Sequence, residues 1–103
     1  MRIAIVANPH KADAVAASRQ VEQHLASRAH VQVLIEPDAA ALAAAAPDLI
    51  VVLGGDGTVL RIAQAVRELD ARVVGINFGK LGYLTSYQLY EFLPHADDIL
   101  ACQ

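Results

Sequence analysis

Leu49-Ile50-Val51-Val52-Leu53, followed at once by Gly54-Gly55-Asp56-Gly57-Thr58, is the stretch that decides the fold. Five apolar residues without a polar interruption read as a strand buried on both faces of a parallel sheet. Downstream, Val59, Ile62, Ala63, Val66 and Leu69 recur at helical spacing, predicting a helix over Thr58–Leu69. The glycine-rich residues between them then form a tight strand-to-helix turn. Glycine permits positive φ there and lets a ligand come close to the backbone. The turn opens on a helix N-terminus, whose unpaired N–H groups and positive dipole end favour phosphate. Asp56 puts a negative charge where a phosphate would be welcome. A carboxylate in that place makes sense if it handles a proton, a hydroxyl or a metal.

The flanking sequence extends the alternation. Ile3–Ala7 reads as a first buried strand, broken by Asn8-Pro9-His10. A helix follows from Ala12 to about Ser27, with Ala14, Ala17, Val21 and Leu25 on one face. Val31–Ile35 is a second strand. Asp38 is placed to cap a short alanine-rich helix, Ala39–Ala46. Pro47 ends it, because the residue before proline disfavours the α region. Val73–Ile76 is a fourth strand, followed by the loop Asn77–Thr85. A last helix is expected near Pro94, with Asp97 and Asp98 in its first turn and Ile99 and Leu100 on its apolar face. Strands alternating with helices predict a three-layer, Rossmann-like or flavodoxin-like α/β domain. Its parallel sheet has about four strands, in the order 2-1-3-4. Ligands collect outside the carboxyl ends of such strands. Asn8–Lys11, Gly54–Thr58 and Asn77–Thr85 should therefore share one rim.

Composition narrows the function. The 103 residues suit one small domain, and at 55% hydrophobic they can fill its core. With 8 Lys and Arg against 11 Asp and Glu there is no basic run, which argues against a nucleic-acid partner. Cys102 is the single cysteine, so neither a disulfide framework nor a Cys–His zinc pattern is available, and a cytoplasmic location is the default expectation. No run approaches the ~20 apolar residues that cross a bilayer. No part of the sequence fits a Walker loop or a Gly-x-Gly-x-x-Gly dinucleotide fingerprint.

Gly54-Gly55-Asp56-Gly57-Thr58 resembles the signature shared by NAD kinases, diacylglycerol and sphingosine kinases and, more loosely, the phosphofructokinases. Gly75-Ile76-Asn77-Phe78-Gly79-Lys80-Leu81-Gly82-Tyr83-Leu84-Thr85 is similar to the NAD kinase segment Gly-Ile-Asn-x-Gly-x-Leu-Gly-Phe-Leu-Thr. Tyr83 stands where that family often has phenylalanine. The lipid kinases do not carry this segment. The resemblance runs from the first strand to about Leu93.

What the resemblance implies is ATP-dependent phosphorylation of the adenosine 2′-hydroxyl of NAD, giving NADP. ATP, or polyphosphate, would be the donor, with a divalent metal such as magnesium arriving with the nucleotide. Asp56 corresponds to the family's proposed proton acceptor. Gly57, Leu60, Arg61, Asn77 and Tyr83, together with Asp56, map onto the dinucleotide site. The family's second, mostly β domain and its Asn-Glu pair have no counterpart within residues 1–103, which are expected to be the N-terminal nucleotide-binding domain. The family tends to form homo-oligomers. Alternatives are a non-catalytic nucleotide-binding or assembly module and a lipid kinase-like domain. Simpler roles stand beside these: Asp56 as a turn residue, Arg61 as a solvated or ion-paired side chain, Phe78 as core and Lys80 as a surface lysine.

Overall fold

In the computed structural model the chain runs β1 (Arg2–Ala7), α1 (Ala12–Leu25), β2 (His30–Ile35), α2 (Ala39–Ala45), β3 (Leu49–Gly54), α3 (Asp56–Ala65) and β4 (Arg72–Asn77), and a 3-10 turn covers Leu93–His95. The structure describes residues 1–35, 37–77 and 92–95, with Asp56, Asn77 and His95 described by their backbone alone. Asp97, Asp98, Ile99 and Leu100, expected in the last helix, lie outside the described residues.

The four strands make one sheet in the order β2-β1-β3-β4, as expected, and every pairing is parallel. All six residues of β3 are buried. Side-chain alternation divides them between two cores. Leu49, Val51 and Leu53 join Ile3 and Ile5 beneath Ala14, Ala17, Val21 and Leu25 of α1. Ile50 and Val52 join Ala4 and Val6 against Leu42 of α2 and Val59 and Ile62 of α3. This is the three-layer α/β domain. Each fully buried Leu, Ile or Val contributes about 1.5–3 kcal/mol, so β3, covered on both sides, is the sheet's strongest anchor. Ser18 is buried with the apolar face of α1, and its hydroxyl donates to the Val15 carbonyl at 2.5 Å. At the opposite end of the sheet, Asp48 ties three strands together. Its carboxylate accepts from the Arg2 amide at 2.8 Å, and its carbonyl accepts from the Arg72 amide at 3.1 Å.

Asp38 caps α2 as the sequence predicts: its carboxylate accepts from the Ala41 amide at 2.8 Å. The other end differs from expectation. Ala46, before Pro47, does not turn to extended backbone. It takes the left-handed conformation, φ 47° and ψ 54°, and its amide donates to the Ala43 carbonyl. A left-handed residue closes a helix by satisfying its last carbonyls, and glycine does this without Cβ strain. Ala46→Gly is therefore expected to stabilise the chain by about 0.5–1 kcal/mol in a urea titration. An unchanged or lower midpoint would contradict the strain.

Candidate nucleotide site

Strand register brings the carboxyl ends of β1, β3 and β4 to one rim. Ala7 pairs with Leu53, and Gly54 pairs with Asn77. Asn8 fastens this rim together. Its amide donates to the Leu53 carbonyl at 3.1 Å, which extends the ladder one residue beyond β1. Its side-chain carbonyl accepts from the His10 amide at 3.0 Å, and its Nδ2 donates to Thr58 Oγ1 at 3.3 Å. One side chain thus links the β1–α1 loop to the first turn of α3. Asn8 and Thr58 were not singled out for this role in the sequence. The available signal was an asparagine directly after a strand, a residue type that folds back on its own loop.

The glycine-rich segment differs from the expected turn. β3 continues through Gly54 and α3 begins at Asp56, two residues before the expected start, so Gly55 alone separates strand from helix. Gly55 is the N-cap, with φ −98° and ψ −173°. None of Gly54, Gly55 and Gly57 has positive φ. Conformational freedom is therefore not what these glycines provide. A Cβ on Gly54 would lie 3.0 Å from Thr58 Oγ1 and 3.1 Å from Thr58 Cβ, so this glycine lets the helix start close against the strand. A Cβ on Gly55 or Gly57 would meet no atom within 4 Å. The helix also ends earlier than expected, at Ala65, and Val66–Leu69 form a turn.

α3 divides into two faces. Val59 and Ile62, with Val66 just past the helix end, are buried against the sheet. Gly57, Leu60, Arg61 and Gln64 are exposed, at the i, i+3, i+4, i+7 spacing of one helical stripe. Leu60 is 48% exposed. Open backbone at Gly57, an apolar side chain and a guanidinium thus follow one another along the surface that starts at the rim. Gly57, Leu60 and Arg61 are brought together; Asp56 is the first residue of α3, and Asn77 ends β4 beside Gly54. The side chains of Asp56 and Asn77, and all of Phe78, Lys80, Tyr83, Tyr87, Tyr90 and Cys102, lie outside the described residues.

Two concavities lie elsewhere. One, of about 330 Å³, is lined by Arg2, His30 and Gln32 among others, at the amino ends of β1 and β2. The other, of about 340 Å³, lies between α1 and β2. Neither touches the glycine-rich segment. No group of three His, Cys, Asp or Glu that could hold a metal is present among the described residues. No helix among them is long and apolar enough to cross a membrane.

The exposed Gly57 admits a direct test. Alanine there meets no steric obstacle and has the higher helix propensity, so Gly57→Ala is expected to raise stability by about 0.5–1 kcal/mol. If the open backbone is a ligand surface, the same substitution lowers nucleotide affinity. Calorimetric titration beside a urea curve checks both. A gain in stability with unchanged affinity would remove Gly57 from the site.

The ATP-NAD kinase N-terminal domain is the family description that matches residues 35–103. The NAD kinase of Citrifermentans bemidjiense is 36% identical over 113 residues, covering 97% of this chain and 39% of that protein. The NAD kinase of Moorella thermoacetica is 38% identical over 111 residues, covering 97% of this chain and 35% of its own. That of Chromobacterium violaceum is 49% identical over 53 residues, which are 52% of this chain and 18% of its own. The chain thus spans less than two fifths, 39%, of the first of these relatives. With the family description covering more than half of it, the chain belongs to the ATP-NAD kinase N-terminal domain family.

Proposed function

We propose that this chain is the N-terminal nucleotide-binding part of an NAD kinase, which transfers a phosphoryl group to the adenosine 2′-hydroxyl of NAD and so makes NADP. The observation that carries the reading is the exposed stripe of α3. A glycine with no conformational need to be glycine opens the backbone at the helix start, and Leu60 and Arg61 continue the surface. ATP is the donor in this reading, with polyphosphate as the second candidate.

The 2′-oxygen forms a bond to the γ-phosphorus as the bond from that phosphorus to the β–γ bridging oxygen breaks, and ADP leaves. The attacking hydroxyl must lose its proton, and Asp56 takes it as general base. Amides at the start of α3 and the positive end of its dipole face developing phosphate charge. Arg61 balances a phosphate, Leu60 packs against a base or ribose, and Asn77 and Tyr83 complete the dinucleotide wall. A divalent cation such as magnesium comes with the donor nucleotide in this reading. The reading places the protein in the cytoplasm, where its nucleotide substrates are found.

The test is product formation. The polypeptide encoded by the whole reading frame is incubated with NAD and ATP, then with NAD and polyphosphate, and the products are separated by ion-exchange chromatography. NADP is expected. Phosphorylation of diacylglycerol instead would make this a lipid kinase-like domain. NAD binding without turnover would leave a binding module.

A further inference from the structure

Asn8 holds both ends of the glycine-rich segment. Its backbone amide donates to the Leu53 carbonyl at 3.1 Å, near the end of β3. Its Nδ2 donates to Thr58 Oγ1 at 3.3 Å, in the first turn of α3. Gly54, Gly55, Asp56 and Gly57 lie between these two anchors. Three of the four have no side chain to hold them, so the stretch takes its placement from its two ends.

The orientation of the Asn8 side chain is fixed by its partners. The His10 backbone N–H can only donate, and it lies 3.0 Å from Oδ1. The oxygen therefore faces His10 and the nitrogen faces Thr58. Each end of the side-chain amide is thus engaged by the protein itself. Asn8 and Thr58 are both half-buried. A Cβ on Gly54 would lie 3.0 Å from Thr58 Oγ1, so the bare glycine gives that hydroxyl room beside the strand.

We propose that Asn8 is a positioning residue for phosphoryl transfer. It acts through Thr58 to hold the start of α3, and with it the backbone of Asp56, beside the carboxyl end of β1. The role rests on the kinase reading of the same site. Asp56 precedes Thr58 by two residues in one helical turn, so a shift of Thr58 moves the backbone that carries the carboxylate. A general base works within about 2.6–3.2 Å of the oxygen it deprotonates, and a misplacement of about 1 Å costs about 100-fold in rate. Asn8 thereby governs turnover without touching a nucleotide.

Steady-state kinetics on the polypeptide of the whole reading frame test this. The variants are Asn8→Ala, Thr58→Ala, their combination, and Thr58→Ser. Each alanine variant is expected to lose about 10- to 100-fold in kcat, with KM for NAD changed by less than about threefold. The combined variant is expected to match Asn8→Ala, because both substitutions remove the same bond; independent losses would multiply. Thr58→Ser keeps the oxygen and is expected to regain most of the turnover lost in Thr58→Ala. Nitrogen-15 relaxation at the Gly55 and Gly57 amides is expected to show greater motion in Asn8→Ala than in the native protein. Circular dichroism establishes that each variant is folded. With an active native protein, losses that multiply overturn the role, as does a change in KM alone. So does Thr58→Ser no better than Thr58→Ala, or lost turnover beside unchanged relaxation. A native polypeptide that forms no NADP overturns the kinase reading itself, and this role with it.

Discussion

Asp56→Asn is expected to lower NADP formation by roughly two to four orders of magnitude, the range a positioned general base contributes. Asparagine keeps the size and the helix-starting character of the side chain but cannot take a proton from the attacking hydroxyl. The first position of α3 also offers a purely structural role for Asp56, because a carboxylate beside a helix N-terminus is stabilised by about 0.3–1 kcal/mol. The two roles separate cleanly. Removing only the dipole interaction costs less than about 1 kcal/mol in a urea titration and leaves turnover intact. Removing the base leaves NAD affinity close to native while turnover falls. The assay uses the polypeptide of the whole reading frame, with NAD binding measured on the same preparation. Native turnover in the variant would take Asp56 out of the mechanism.

The second large effect concerns the fold. α2 is six alanines and one leucine, and Leu42 is its one buried residue, fully enclosed against Ala4, Val6, Ile50 and Val52. Alanine gives the helix its propensity but no attachment to the sheet. Leu42→Ala is therefore expected to cost about 2–5 kcal/mol, the transfer of the lost methyl groups plus the cavity they leave. It should also release α2, visible as faster amide exchange over Ala41–Ala45. A loss below about 1 kcal/mol would mean that something other than this side chain holds the helix.

Much of the architecture was legible because β3 is buried on both faces and so has no polar positions to confuse its reading. Once it was placed, helical spacing in α1 and the short connections led to the strand order. The glycine-rich segment was less legible. Three glycines in five residues suggest a loop needing positive φ, whereas Gly57 lies inside the first turn of a helix with ordinary dihedrals. Composition cannot distinguish a glycine kept for its torsions from one kept for the space beside it. Phe92, fully buried under α1, is another such case. The residues around it show neither alternation nor helical spacing, so its burial depends on contacts distant in sequence. Near Pro94 a single 3-10 turn at Leu93–His95 is what the described residues hold of the expected helix. The clasp from Asn8 to Thr58 spans 50 positions, and no local pattern announces it.

Titrating NAD into the isotopically labelled chain, and following its backbone amides by heteronuclear NMR, tests the central claim most directly. The account predicts shifts that saturate together at Asn8, at Gly55–Arg61 and at Asn77, the rim and the open stripe of α3. Shifts confined to Arg2, His30 and Gln32 at the other end of the sheet, or none at any NAD concentration, would contradict it.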